Sequence, residues 1–144
     1  MAHFGDRFAY HVGDTAQGGL PADLPGPFDA AVASASIVHL PTELKQRMFA
    51  EVFRVLKPGG CFFNVDRASP PSDEMQAWYR AWAEREGQRS GHQPEAANQH
   101  GRMLHHHFET EADMLAFLRA AGFAQVDCFY KRLLQTVIGG FKPT

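Results

Sequence analysis

A chain of 144 residues, 44% hydrophobic and with a net charge of −2, is long enough for one domain with a buried core. Acids and bases alternate along it, which leaves no basic face for nucleic acid and no polybasic patch for a membrane surface. No apolar run approaches the ~20 residues that span a bilayer, and the start lacks a signal-peptide pattern.

In chain order, Phe8-Ala9-Tyr10-His11-Val12 alternates apolar and polar residues and stops at Gly13-Asp14, which predicts a short strand with a loop at its carboxyl end. Residues 15–27 hold Gly18, Gly19, Gly26, Pro21, Pro25 and Pro27 and read as a loop. The run FDAAVASASIV, 28–38, is almost continuously small and apolar, as in a strand of a parallel sheet buried on both faces. Pro41-Thr42 opens a helix whose Leu44, Met48, Phe49, Val52, Val55 and Leu56 recur at helical spacing. Pro58 stops it, and Gly59-Gly60 supply a tight turn into a strand over 61–66. Strand, helix and strand make a crossover unit.

Pro70-Pro71 breaks the chain. Ser72 then caps a helix with Asp73 and Glu74 in its first turn, where the helix dipole favours acids. Its Met75, Trp78, Tyr79 and Trp82 form one broad aromatic face, which suits a core or an interface cover. The polar stretch 87–108 reads as a loop or flap within a single domain spanning 1–144. Thr110 and Asp113 have capping-box spacing. They open a helix that buries Met114, Leu115, Leu118 and Ala121 and stops at Gly122. A strand over 126–134 and another over 135–141, bent at Gly139-Gly140, end the chain. Cys61 and Cys128 fall in predicted strands and read as buried free thiols, which suits a reducing cytoplasm.

Three segments resemble the Rossmann-like (class I) S-adenosylmethionine-dependent methyltransferases. FDAAVASASIVHL is similar to that family's fourth strand and following loop. ELKQRMFAEVFRVLKPGGCFFNVD is similar to the next helix, glycine turn and fifth strand. DMLAFLRAAGFAQVDCFYK with GGFKP is similar to the last helix and terminal hairpin. The resemblance implies an α/β fold: a partial, mostly parallel sheet with a C-terminal antiparallel hairpin and helices on both faces. It also implies methyl transfer from S-adenosylmethionine to a small-molecule or other acceptor. Asp14 matches the acid that contacts the adenine amino group, Thr15 a backbone contact near the ring, and Ala33 and Ser34 positions lining the methionine end. His39 matches the second member of a His-His pair and is the candidate general base, with Val38 in place of the first. Asp66 ends the fifth-strand match, at the crevice where such sheets bind ligands.

The strand, GxGxG-type loop, helix and acid-ended second strand with which the family begins have no counterpart here. Gly18 and Gly19 cannot replace the loop, because they follow the supposed third strand. Strand 28–38 is thereby left with a naked apolar edge that invites pairing. The expected outcomes are a truncated fragment, a homo-oligomer that covers the edge, or a sheet in which 8–12 pairs directly with 28–38. The alternative function is a non-catalytic pseudoenzyme or self-association module.

Other residues suggest less. Ser34 and Ser36 have no general base placed beside them. His105-His106-His107, with His92 and His100, would point to alternate faces of an extended segment and so would not converge on one metal ion. No metal site is expected.

Overall fold

The computed structural model describes residues 8–90 and 109–144. After a single 3-10 turn at Thr15–Gln17 come β1 (Phe28–Ser34), a second 3-10 turn (Ile37–His39), α1 (Thr42–Val55) and β2 (Leu56–Arg67). Then follow α2 (Asp73–Ser90), α3 (Glu111–Ala120), β3 (Ala124–Arg132) and β4 (Gln135–Phe141). The four strands form one sheet in the order β1-β2-β4-β3. The fold is α/β, with β1 and β2 parallel and the C-terminal pairs β2–β4 and β4–β3 antiparallel.

The apolar stripe of α1 and one face of α3 close over one side of the sheet. Phe49 of α1, Phe62 of β2, Leu118 of α3 and Ile138 of β4 are fully buried there. Phe62 sits between Phe49 and Phe123, at ring-centroid distances of 5.8 and 5.9 Å. The opposite side is open at Val32, Val65 and Phe129, although Phe63 packs edge-on against Phe129 at 5.1 Å.

Local chemistry explains the element ends. Thr110 Oγ1 accepts from Asp113 N–H at 3.2 Å, and Asp113 Oδ2 accepts from Thr110 N–H at 3.0 Å, so the shorter acid still closes the capping box. Gly122, at φ 105°, supplies the left-handed residue after α3. At the end of α1, Lys142 Nζ donates to the carbonyls of Phe53 and Leu56 at 2.9 and 2.8 Å, satisfying acceptors that a helix end leaves open.

The structure departs from the sequence reading in several places. Residues 8–14 form no strand and do not pair with β1. β1 ends at Ser34 rather than continuing to Val38, because Ala35 takes φ 49°. The chain then turns, and Ile37 and Val38 are buried as part of the 3-10 turn. Burial on both faces is not observed, since Val32 is 71% exposed.

The Pro-Gly-Gly turn is absorbed into β2. Register jumps from Phe28–Leu56 to Ala30–Cys61, so residues 57–60 bulge out of the ladder. α2 continues through Gly87 to Ser90, which makes 87–90 helix rather than loop. The rest of the expected flap, with His92, His100 and His105–His107, lies outside the described residues. The aromatic face of α2 is not core, for Trp78 is 50% exposed. β3 begins at Ala124 and stops at Arg132. Gly139 and Gly140 do not bend β4 but lie opposite Phe63 and Phe62. A Cβ on Gly139 would meet the Phe62 carbonyl and the Phe63 ring, so glycine is needed there for close approach of the strands.

Candidate functional site

The carboxyl ends of β1 and β2 point the same way, and a groove of about 410 Å³ runs beside β1. Its wall includes Thr15, Leu20, Ala33, Ser34, Ile37 and Val52. The Thr15 side is held by its own chemistry. Asp14 caps the short turn, its Oδ1 accepting from Ala16 N–H at 2.8 Å. Gly18 closes the turn at φ 68°, with its N–H donating to Thr15 O at 2.8 Å. A Cβ on Gly18 would come within 2.8 Å of the Leu44 carbonyl, so the turn can rest against α1 only because that residue is glycine.

Three of the residues singled out from sequence, Thr15, Ala33 and Ser34, are therefore brought to one groove. Asp14 adjoins them and is exposed, while His39 is exposed at the end of the 3-10 turn and does not line the groove. Ser36 joins the wall.

Behind the groove lies a polar layer. Asp66 is buried, with Oδ2 accepting from Val38 N–H at 2.9 Å and Oδ1 from Arg67 N–H at 3.0 Å. Burial pushes its carboxyl above the ordinary value; the two backbone donors and the charges of His39 and Lys45 oppose that rise. The bond to Val38 ties the end of β2 to the turn that carries His39. Next to it, the buried Lys45 ammonium pairs with Glu109, which also accepts from Thr42 Oγ1 at 2.6 Å. Asn64, between Phe62 and Asp66 on the same face of β2, is fully buried, and among the described residues neither of its amide atoms has a hydrogen-bond partner.

The sequence held one overlooked signal for this layer. Lys45 stands three and four residues before Met48 and Phe49, on the apolar stripe of α1, where a lysine must find a partner. Glu109 gave no such signal, since nothing in its surroundings ties it to a residue 64 positions away. Among the described residues, no group of three His, Cys, Asp or Glu side chains could hold a metal ion. No helix among them is long and apolar enough to cross a membrane.

Residues 3–64 match the family described as methyltransferase domain. Over 59 residues, 41% of this chain, the sequence is 42% identical to a sterol 24-C-methyltransferase of Yarrowia lipolytica (strain CLIB 122 / E 150), and the match covers 14% of that protein. The fold is similar to the S-adenosylmethionine-dependent methyltransferase SibL in its apo form, at TM-score 0.66 and 17% identity over 99% of this chain and 38% of that one. It is also similar to human N-acetylserotonin methyltransferase in complex with SAM, at TM-score 0.56 and 14% identity over 93% of this chain and 33% of that one. The chain thus spans well under half the length of each of these relatives. Residues 3–64 are thus similar to a methyltransferase domain, and the fold is that of S-adenosylmethionine-dependent methyltransferases of known structure.

Proposed function

We propose that the chain takes part in methyl transfer from S-adenosylmethionine to a small-molecule acceptor, in the cytoplasm. The observation that carries this reading is the groove beside β1, which gathers Thr15, Ala33 and Ser34 at the carboxyl end of a parallel pair. The cofactor, when bound, supplies an electrophilic methyl group on a sulfonium.

The residues present fit its adenosine portion. The apolar wall offers a surface for a flat ring. A carboxylate accepts up to about four hydrogen bonds, so Asp14 keeps capacity for an exocyclic amine beyond its bond to Ala16 N–H. The Ser34 hydroxyl offers a donor and an acceptor at the other end of the groove. Positioning donor and acceptor in line is the main demand of such a reaction, and rigid strand ends meet it. His39, whose imidazole can accept a proton, is the candidate base for an acceptor that must lose one. The free thiols of Cys61 and Cys128 suit a reducing compartment.

A second reading, a non-catalytic self-association module, is favoured by the outer edge of β1, which has no strand neighbour among the described residues. Calorimetric titration with S-adenosylmethionine and its demethylated product separates the two. Saturable binding near micromolar, about 8 kcal/mol, is expected. Asp14→Ala should weaken it by about 10- to 100-fold, the worth of a hydrogen bond to a charged group. Absence of binding at millimolar ligand would leave the module reading in its place.

A further inference from the structure

We infer that Asp66 is a positioning residue for the groove. From the end of β2 its carboxyl caps the turn Ile37–His39, and so fixes the part of the groove wall that this turn carries. The inference rests on the methyl-transfer reading for the ligand that the groove takes, but not for the hold on the turn.

The turn has few means of holding itself. Ala35, at φ 49°, lies in the left-handed region that a side chain disfavours. Ser36 stands at the N-cap, where a serine ordinarily accepts from a backbone N–H of the first turn, yet it makes no side-chain cap bond. A helix also leaves its first N–H groups without an acceptor of its own. Inside the turn, His39 N–H donates to Ser36 O at 3.4 Å and Leu40 N–H to Ile37 O at 3.0 Å. Neither bond uses Val38 N–H.

Asp66 Oδ2 takes that N–H at 2.9 Å, from 28 positions away. Val38 is 5% and Asp66 7% exposed, so water does not compete for the bond. The adjoining Val65 carbonyl accepts from Ala35 N–H at 3.0 Å. Two consecutive residues of β2 thus hold the turn at two points, and such over-determination is how a left-handed alanine persists. Asp66 is itself anchored. Its Oδ1 accepts from Arg67 N–H, and its carbonyl from Thr136 Oγ1 of β4 at 3.1 Å. Ser36, Ile37 and Leu40 line the groove together with Ser34. Because the cap comes from β2, the Ser36 hydroxyl is not spent on it and remains a donor and acceptor at that wall. The candidate base, His39, ends the same turn.

Amide hydrogen exchange on the 144-residue chain reads the hold directly. In the wild type, Val38 should exchange as slowly as the paired amides of β2, although its own turn gives it no acceptor. Asp66→Ala should speed Val38 exchange by about 10- to 100-fold relative to the amides of α3 and β4, the worth of a hydrogen bond to a charged group. Calorimetric binding of the demethylated product of S-adenosylmethionine should weaken by a similar factor. Asp66→Asn, which keeps an acceptor, should rescue both. Thr136→Val removes the other buried bond to Asp66 without touching its carboxyl. It should lower the melting temperature and leave Val38 exchange and binding as they were. Fast exchange of Val38 in the wild type, an Asp66→Ala protein whose Val38 protection or binding equals that of wild type, or equal losses in Thr136→Val would each overturn the proposal. A wild type that binds neither S-adenosylmethionine nor its product would overturn the methyl-transfer reading instead. The exchange rates, which need no ligand, would then decide by themselves whether Asp66 holds the turn.

Discussion

Asn64 and Asp66 show how single side chains tune this domain. Asn64 is fully buried in β2, and among the described residues neither of its amide atoms has a hydrogen-bond partner. A buried polar group without a hydrogen bond costs about 1–3 kcal/mol. Asn64→Leu should raise the unfolding free energy by that order, seen as a higher urea midpoint at unchanged m-value. Asp66 works through protonation. Its folded-state carboxyl lies above the ordinary range because burial disfavours the charge, so the folded state holds the proton to higher pH than the unfolded chain does. Stability should therefore fall as pH rises from about 4, the ordinary aspartate value, through the raised folded pKa. Asp66→Asn keeps an acceptor for Val38 N–H and removes the titration. Melting temperature plotted against pH should be flatter for this variant across that window; an unchanged slope would place the titration elsewhere.

Between elements, the Lys45–Glu109 pair acts as a pin. It joins the first turn of α1 to the residue before the capped start of α3, and Glu109 O also accepts from Ser69 N–H at 2.8 Å. Three separate stretches of chain therefore meet at one residue, Glu109, through its carboxylate and its backbone carbonyl. Removing one partner from a buried ion pair typically costs about 3–5 kcal/mol, because the other charge is stranded. Glu109→Gln should lose stability on this scale, measured by chemical unfolding. The double change Lys45→Met with Glu109→Leu should recover much of it. A Glu109→Gln protein as stable as wild type would mean that water already serves Lys45.

For the whole molecule, the consequence is a division between a finished and an unfinished side of the sheet. α1 and α3 seal one face, and β1 and β3 are the two edge strands among the described residues. The groove that gathers Thr15, Ala33 and Ser34 lies beside β1.

Local chemistry was legible in the residues alone. The stripe of α1, the Thr110–Asp113 capping box, the stop at Gly122 and the positions of all four strands follow from periodicity and backbone preference, which act over a few residues. The methyltransferase resemblance was legible for the same reason, being carried by three short segments in order. What needed the folded chain was everything that depends on a distant partner. Phe8–Val12 alternates like a strand but lies outside the sheet. Val32 reads as doubly buried yet is exposed, because no described element covers that side of β1. Gly139 reads as a bend and is instead a point of close approach to Phe62. Lys45 and Glu109 meet across 64 positions of sequence. Periodicity reports which face of an element is apolar; only tertiary packing decides whether another element arrives to cover it.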